Sequence, residues 1–403
     1  MVARSAEVKA LGIPMGVPWF KIQKEARQYG IVAFSSNYAL YADMSNRVVE
    51  VLGHFTPNLE VYSIDESFLD LTGFQLNLLE YGQAIRQRIQ QWLGLAVCVG
   101  IAPTKTLAKL ANHCAKKGLA GQQGVCDFTT MTEADLARLF ARIEVGEVWG
   151  VGRRIQARLA QLGIATVQQL RQADPDLIRA RFSVVLERTV RELRGVSCLE
   201  LEEVAPDKQQ IMCSRSFGQC IYERQQLEEV IASYVSRAAE KLRQQSSLAG
   251  ALTVFIRTNP FTQEPHYQRS LTTPLTEATE DTRVLVRWGL KILRRIYRPG
   301  FAYQKAGVML SELRPQKMAQ ASLFADPDIE RSHRLMATLD IINQKWGRGA
   351  LRTAAEGLEK PWQMKRQRLS PGYTTDWEGL PVVCSGGKRK DRVIFFSSTG
   401  QNS

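Results

Sequence analysis

The apolar positions change their spacing several times along the chain, and each change predicts a change of structure. Residues 1–44 carry mainly helical spacing, broken by the turn signals of "GIPMGVPW", with a new helix starting near Phe20. Around residues 45–55, Met44, Val48, Val51 and Leu52 fall on one helical face. "NLEVYSIDESFLDLTG" then reads as strand, tight turn and strand, closed by Gly73. Helical spacing returns over 78–93, and "LAVCVGIA" is a continuous apolar run of the kind a buried strand shows. A helix starts near Pro103, since proline suits a first turn. Alternating strands and helices predict one mixed α/β domain over 45–130, preceded by the helical 1–44.

Residues 131–195 hold no strand pattern. They read as a small helical domain in which "VWGVGRRIQARLAQLGIATVQQL" forms a short helix, a G-x-G hairpin and a second helix. An acidic stretch with Pro206, residues 196–208, reads as a linker. Over 209–312 strands return at "QIMCSRSFGQCIY", "GALTVFIRT", "HYQRSLTT" and "YQKAGVMLSEL". Helices fall between them at 225–243, with Leu227, Val230, Ile231, Tyr234, Val235, Ala238 and Leu242 on one stripe, and at "TRVLVRWGLKILRRIY". That β-α-β-β-α-β order is ferredoxin-like. Beyond 313 the periodicity thins, which predicts a peripheral, partly extended tail over 313–403.

Composition narrows the class. A 403-residue chain with 44% hydrophobic and 23% charged residues is an ordinary globular protein. No run of about 18 apolar residues appears, so no membrane span is expected. "MVARSAEVKALG" lacks the apolar region of a secretory signal. The seven cysteines form no C-x-x-C pair and there are four histidines, so thiols reduced in a cytoplasm are expected rather than a zinc site. The net charge of +13 is regional: residues 209–318 carry +7, residues 131–208 carry 0. A localised basic surface suits a phosphate backbone, though composition leaves a merely soluble basic surface open.

The candidate chemistry starts at Asp65 and Glu66, with Asp70 close behind. In a continuing strand the neighbouring acids would face apart; at a turn they can converge. Paired carboxylates suit Mg²⁺, which keeps substrate phosphates as partners, and two ions about 4 Å apart can serve both ends of a phosphoryl transfer. Taken alone, an Asp-Glu pair is ordinary decoration of a turn. "APTKTLAKLANHCAKK" puts Lys105 and Lys109 on one helix face with Lys116 and Lys117 further along, cations suited to a triphosphate or to a solvated surface. Lys9 lies in "SAEVKALG". In "VWGVGRR", Gly150 and Gly152 permit a turn whose amides can grip a phosphate, with Arg153 and Arg154 adding charge. In "QASLF", Gln320 to Phe324, the bulky Leu323 and Phe324 suit a docking peptide or a return onto the preceding domain.

Together, "YSIDESFLDLTG", "VGIAPTKTLAKLANHCAK" and "VWGVGRR" resemble the Y-family translesion DNA polymerases. "SSNYALYADMSNRV", "VVLERTVRELRG", "CSRSFG", "YQKAGVML" and "QMKRQRLSPGYTT" resemble its UmuC-type catalytic subunits, the subgroup found in DNA polymerase V, over nearly the whole chain. The resemblance implies an α+β right-hand polymerase. Its parts would be fingers over 1–44 with an incomplete start of the palm, palm over 45–130, thumb over 131–195, linker over 196–208, little finger over 209–312, and a partner-binding tail over 313–403. It implies error-prone lesion bypass in the SOS response, with two Mg²⁺ ions held by Asp65 and Glu66. Lys9 and Lys116 would contact the triphosphate, and Gly150, Gly152 and Arg153 the DNA backbone. Gln320, Leu323 and Phe324 would bind a sliding clamp. A UmuD′-like dimer and RecA are the implied companions, beside primer-template DNA and dNTP, in a cytoplasmic, nucleoid-associated setting with no membrane.

The family's opening strand, "D-x-x-x-F/Y-Y/F-A-S", is not in this sequence. It would supply a further metal-binding aspartate and an aromatic gate against ribonucleotides. Its place is upstream of Met1, or else the chain is a catalytically dead remnant that binds DNA and the clamp.

Overall fold

A computed structural model describes residues 1–202, 204, 206–318, 329–364 and 367–377. The chain divides into two units, residues 1–204 with the segment beginning at Arg368, and residues 205–367.

In the first unit α1 (Ala6–Ala10) and α2 (Gln23–Gln28) precede α3 (Tyr38–Gly53). Helix α3 starts before the position its apolar spacing predicts, because Asn37 caps it and accepts the amide of Leu40 at 3.4 Å. The hairpin falls where the alternation predicts, as β1 (Leu59–Val61) and β2 (Ser67–Leu69), antiparallel, with Glu60 opposite Phe68. Helix α4 (Leu78–Leu93) runs between its Asn77 cap and the left-handed Gly94. Val51 and Leu52 of α3 meet Ile85 and Ile89 of α4 in a small core behind the hairpin.

Strand β3 (Val99–Ile101) pairs in parallel with β4 (Val125–Asp127), and α5 (Lys105–Lys117) crosses between them. The apolar run at 95–102 predicts a longer, fully buried strand, and this differs: residues 95 and 96 are exposed and 97–100 half-buried. Side chains replace the sheet ladder there. Arg86 donates to the carbonyl of Val97 at 2.6 Å and Asn112 to that of Cys98 at 2.7 Å. Gly100 lets β3 lie against α5 itself, for a Cβ there would stand 2.1 Å from the amide of Asn112 and 2.2 Å from the carbonyl of Ala108.

The helical segment holds α6 (Glu133–Ala141), α7 (Arg153–Ala160), α8 (Val167–Gln172), α9 (Pro175–Arg181) and α10 (Val184–Leu193). Phe140, Leu159, Leu170, Ile178 and Leu193 are buried in one cluster with Leu107, Leu110, Ala111 and Cys114 of α5 and Cys126 of β4. Each fully buried leucine or isoleucine contributes about 1.5–3 kcal/mol. The inner face of α5 therefore belongs to the helical core, and its lysine-bearing face is turned towards the hairpin.

The second unit follows the expected order: β5 (Ile211–Ile221), α11 (Arg224–Gln244), β6 (Ser247–Thr258), β7 (Gln268–Thr279), α12 (Thr282–Ile296) and β8 (Tyr303–Pro315). The antiparallel sheet has the order β5-β8-β6-β7. Val254, Ile256, Val308 and Leu310 face both helices. Arg257 lies across from Lys305 on the opposite sheet face, the alternation of a one-side-covered sheet.

The segment after β8 differs from the expected extended tail. Helix α13 (Ile329–Lys345) buries Met336 to 1% exposure, and Arg243 forks onto Asp340 at 2.6 and 2.8 Å. Trp362 joins the core edge-on to Tyr234, 5.9 Å between ring centres. Its apolar residues do not share one buried face, Leu335 and Ile341 being exposed, so little periodicity is left to read; the buried Met336, the Arg243–Asp340 pair and the Ser332–Asp281 hydrogen bond hold it. The chain then returns to the first unit. The amide of Ser35 donates to Arg368 at 2.7 Å, Asn37 to Ser370 at 3.2 Å, and the Thr374 hydroxyl to Asp43 at 2.6 Å. Gln320, Leu323 and Phe324 lie outside the described residues. No helix among the described residues is long and apolar enough to cross a membrane.

Candidate active site

The loop between β1 and β2 is held by its own backbone: the amides of Tyr62 and Ser63 both donate to the carbonyl of Glu66, at 3.1 and 3.0 Å. Asp65 and Glu66 stand exposed at its tip. The Ser63 hydroxyl donates to Asp65 at 2.8 Å, which orients that carboxylate. Asp70 is not part of the pair. It closes a turn at the end of β2, where hydrogen bonds from the side chain and amide of Thr72 hold its pKa below the usual carboxylate value.

Helix α5 lays two lysines on this hairpin. Its start is fixed by Thr104, whose hydroxyl accepts the amide of Leu107 at 3.3 Å. Lys109 reaches Glu66 at 3.0 Å. Its ammonium also stands 4.4 Å from the centre of the Tyr62 ring and 4.8 Å from that of Trp149. Lys105, one turn earlier, pairs with the buried Glu60 and lies 5.2 Å from the Phe68 ring. Glu60 accepts the amide of Glu202 at 2.7 Å as well. The two lysines therefore divide between an exposed carboxylate at the tip and a buried one in β1.

Beside the hairpin comes the glycine turn. Gly150 has φ of +86°, which only glycine adopts without strain. Gly152, with φ of −82° and ψ of 170°, instead caps α7 and leaves the first-turn amides without a side-chain partner. Arg153 is exposed at the first helical position. Trp149 donates its indole N–H to the hydroxyl of Tyr62 at 3.1 Å, and its ring meets those of Tyr62 at 5.2 Å and Phe68 at 5.9 Å.

The structure thus brings Asp65, Glu66, Lys109 and the 149–152 turn to one place. Lys116 is exposed two turns beyond Lys109, roughly 10 Å along the axis by helical rise. Lys9 is exposed on α1, and among the described residues neither lysine bonds to Asp65 or Glu66. Sequence reasoning missed Glu60, Tyr62 and Trp149. The signal for Glu60 was its alternation with Leu59 and Val61; for Trp149 it was an aromatic residue directly before the glycine pair.

The donor set fits a hard cation in part. Asp65 and Glu66 offer exposed oxygens, and among the described residues no third acid, histidine or cysteine groups with them. A cation here would complete its shell with substrate phosphates and water.

Residues 1–113 match the impB/mucB/samB family, residues 208–323 the impB/mucB/samB family C-terminal domain, and residues 333–383 a domain of unknown function (DUF4113). Protein UmuC of Salmonella typhimurium (strain LT2) is 47% identical over 384 residues, spanning 94% of this chain and 90% of that protein. Protein MucB of Escherichia coli is 44% identical over 388 residues, 95% and 91% of the two chains. DNA polymerase IV of Clostridium acetobutylicum is 24% identical over 349 residues, 86% and 84%. Among solved structures a Y-family DNA polymerase chimera aligns with a TM-score of 0.58 at 21% identity, over 76% of this chain and 85% of that one, a likeness of fold. The chain shares the fold of the Y-family DNA polymerases and belongs to the impB/mucB/samB family, with UmuC-type proteins among its relatives.

Proposed function

We propose that the chain is a DNA-directed DNA polymerase that bypasses damaged template, adding dNTPs to a primer in the SOS response. The observation that carries this reading is the meeting of two exposed carboxylates with a lysine-bearing helix and a glycine turn: Lys109 lies 3.0 Å from Glu66 and Trp149 3.1 Å from Tyr62. Residues 45–130 serve as palm, 1–44 as fingers, 131–195 as thumb, 196–208 as linker and 209–312 as little finger.

Asp65 and Glu66 hold divalent cations, two Mg²⁺ ions in this reading. A cation held there would supply positive charge to offset the negative charge developing when the 3′-hydroxyl attacks the α-phosphate. The remaining roles belong to the chain's own groups. Ser63 keeps the Asp65 carboxylate turned outward. Lys109 balances Glu66, and Lys116 and Lys9 meet the triphosphate. The amides at Gly150 and Gly152, with Arg153, hold a backbone phosphate. Gln320, Leu323 and Phe324 engage a sliding clamp, and a UmuD′-like dimer and RecA act as companions on the nucleoid.

Primer extension tests the reading. Asp65→Ala abolishes incorporation while primer-template affinity stays near that of the parent. A parent that binds primer-template but incorporates no dNTP would overturn it, and undiminished extension by the variant would remove Asp65 from the site.

A further inference from the structure

We propose that Trp149 is a positioning residue that registers Glu66 against the glycine turn, so that DNA held at the turn sets where the acidic tip stands. The inference rests on the polymerase reading and adds a coupling element to it.

Trp149 stands on anchored backbone. Its neighbours Val148 and Val151 are 3% and 5% exposed in the helical core, and the amide of Val151 donates to the carbonyl of Val148 at 3.0 Å. The tryptophan side chain leaves that core and crosses to the hairpin. Two routes then lead to Glu66. One runs through the backbone: the indole N–H holds the Tyr62 hydroxyl at 3.1 Å, and the Tyr62 amide holds the Glu66 carbonyl at 3.1 Å. The other runs through side chains: the Trp149 ring lies 4.8 Å from the ammonium of Lys109, which is 3.0 Å from the Glu66 carboxylate. Gly150 is the next residue in the chain, so the turn that meets a phosphate and the ring that holds the hairpin share one peptide bond.

A half-buried tryptophan commonly finds an acceptor for its N–H; here the acceptor is the residue whose amide holds the Glu66 carbonyl, and the Lys109 ammonium that pairs with Glu66 lies at the ring face. Among the described residues the exposed tip is braced by its own turn, Lys109 and the two strands. A displacement of about 1 Å at reacting groups costs up to a hundredfold in rate, so a ring that removes such freedom acts on the turnover of bound substrate.

The experiment uses the full-length protein with its companions and compares Trp149→Leu, Trp149→Phe, Tyr62→Phe and the Phe/Phe double variant. Single-turnover incorporation, primer-template affinity without nucleotide, and thermal unfolding are measured on each. Trp149→Leu is expected to slow incorporation about 10- to 100-fold with DNA affinity within about twofold. Trp149→Phe and Tyr62→Phe each remove the same hydrogen bond, so the double variant is no slower than the worse single one. Wild-type rates in Trp149→Leu, multiplying losses in the double variant, or losses that only track the unfolded fraction would overturn the proposal. If Trp149→Leu does not fold, the two phenylalanine variants and their cycle decide it. The parent and Asp65→Ala run alongside: a parent that binds primer-template but incorporates nothing removes the polymerase reading itself, whereas an active parent, an inactive Asp65→Ala and unaffected Trp149 variants remove the coupling alone.

Discussion

The carboxylate of Glu192, fully buried at the end of α10, accepts the amide of Thr106 in the first turn of α5 at 2.9 Å. Its other oxygen accepts the amides of Cys198 at 2.9 Å and Leu199 at 3.2 Å. One acid thus seats the lysine helix and the outgoing chain on the helical core. Glu192→Ala leaves one buried and two half-buried donors unmet and should cost about 3 kcal/mol, with Glu192→Gln between it and the parent. Guanidinium unfolding midpoints check this; unchanged midpoints would mean the carboxylate is dispensable.

Gly100 predicts a paired loss. Its missing side chain is what allows β3 to touch the backbone of α5, and no flexible group stands there to yield. Gly100→Ala should destabilise by about 3 kcal/mol or more and shift Lys105 and Lys109 together. Thermal unfolding and single-turnover extension should fall in the same variant. A stable, fully active protein would show that strand and helix part without consequence.

DNA affinity should divide the basic residues of the second unit by sheet face. Arg257 and Lys305 share the face away from the helices, whereas Arg287 and Arg294 lie on the helix layer, where Arg294 pairs with Glu228 at 3.0 Å. Arg269 sits on the edge strand β7. Charge reversal at Arg257 and Lys305 should weaken binding and flatten the salt dependence by about one unit of slope per lost phosphate contact, and reversal at Arg287 and Arg294 should change neither. Fluorescence anisotropy across a salt series separates the two pairs.

Acid should loosen α13 first. Burial of Asp281 pushes its pKa up, but hydrogen bonds from Arg283, from Ser332 of α13 and from the Arg283 amide outweigh this and leave it below the usual 3.8. A depressed carboxylate contributes stability that is complete above its unfolded value and is lost as pH falls through the folded one. Between neutrality and about pH 5 the contribution is therefore constant, and it disappears below about pH 4. The difference in α13 proteolysis between the parent and Asp281→Asn should be full at pH 7 and shrink as the pH falls below about 4; equal rates at pH 7 would refute the linkage.

Local signals carried much of this fold. Asn77 and Gly94 bracket α4 where the spacing places it, and the six elements of the second unit follow their pattern. What the sequence hid was long-range. Lys105 and Lys109 share one helix face, yet one reaches Glu60 and the other Glu66, a division set by how α5 lies on the hairpin. The run at 95–102 is shorter as a strand than its composition suggests, because Arg86 and Asn112, from two helices, satisfy its carbonyls. Trp149 and Tyr62 are 87 residues apart, and nothing local announces their bond.

The return of the chain to its own beginning has a consequence for synthesis. Asn37 and Ser370, which bond to each other, are 333 residues apart. At about 5–20 residues per second, a ribosome takes roughly 17–67 seconds to travel from one to the other. Throughout that interval the surface around Ser35 and Asp43 waits without the returning segment that bonds to it. Residues 35–43 are thus completed only after the whole second unit has been made.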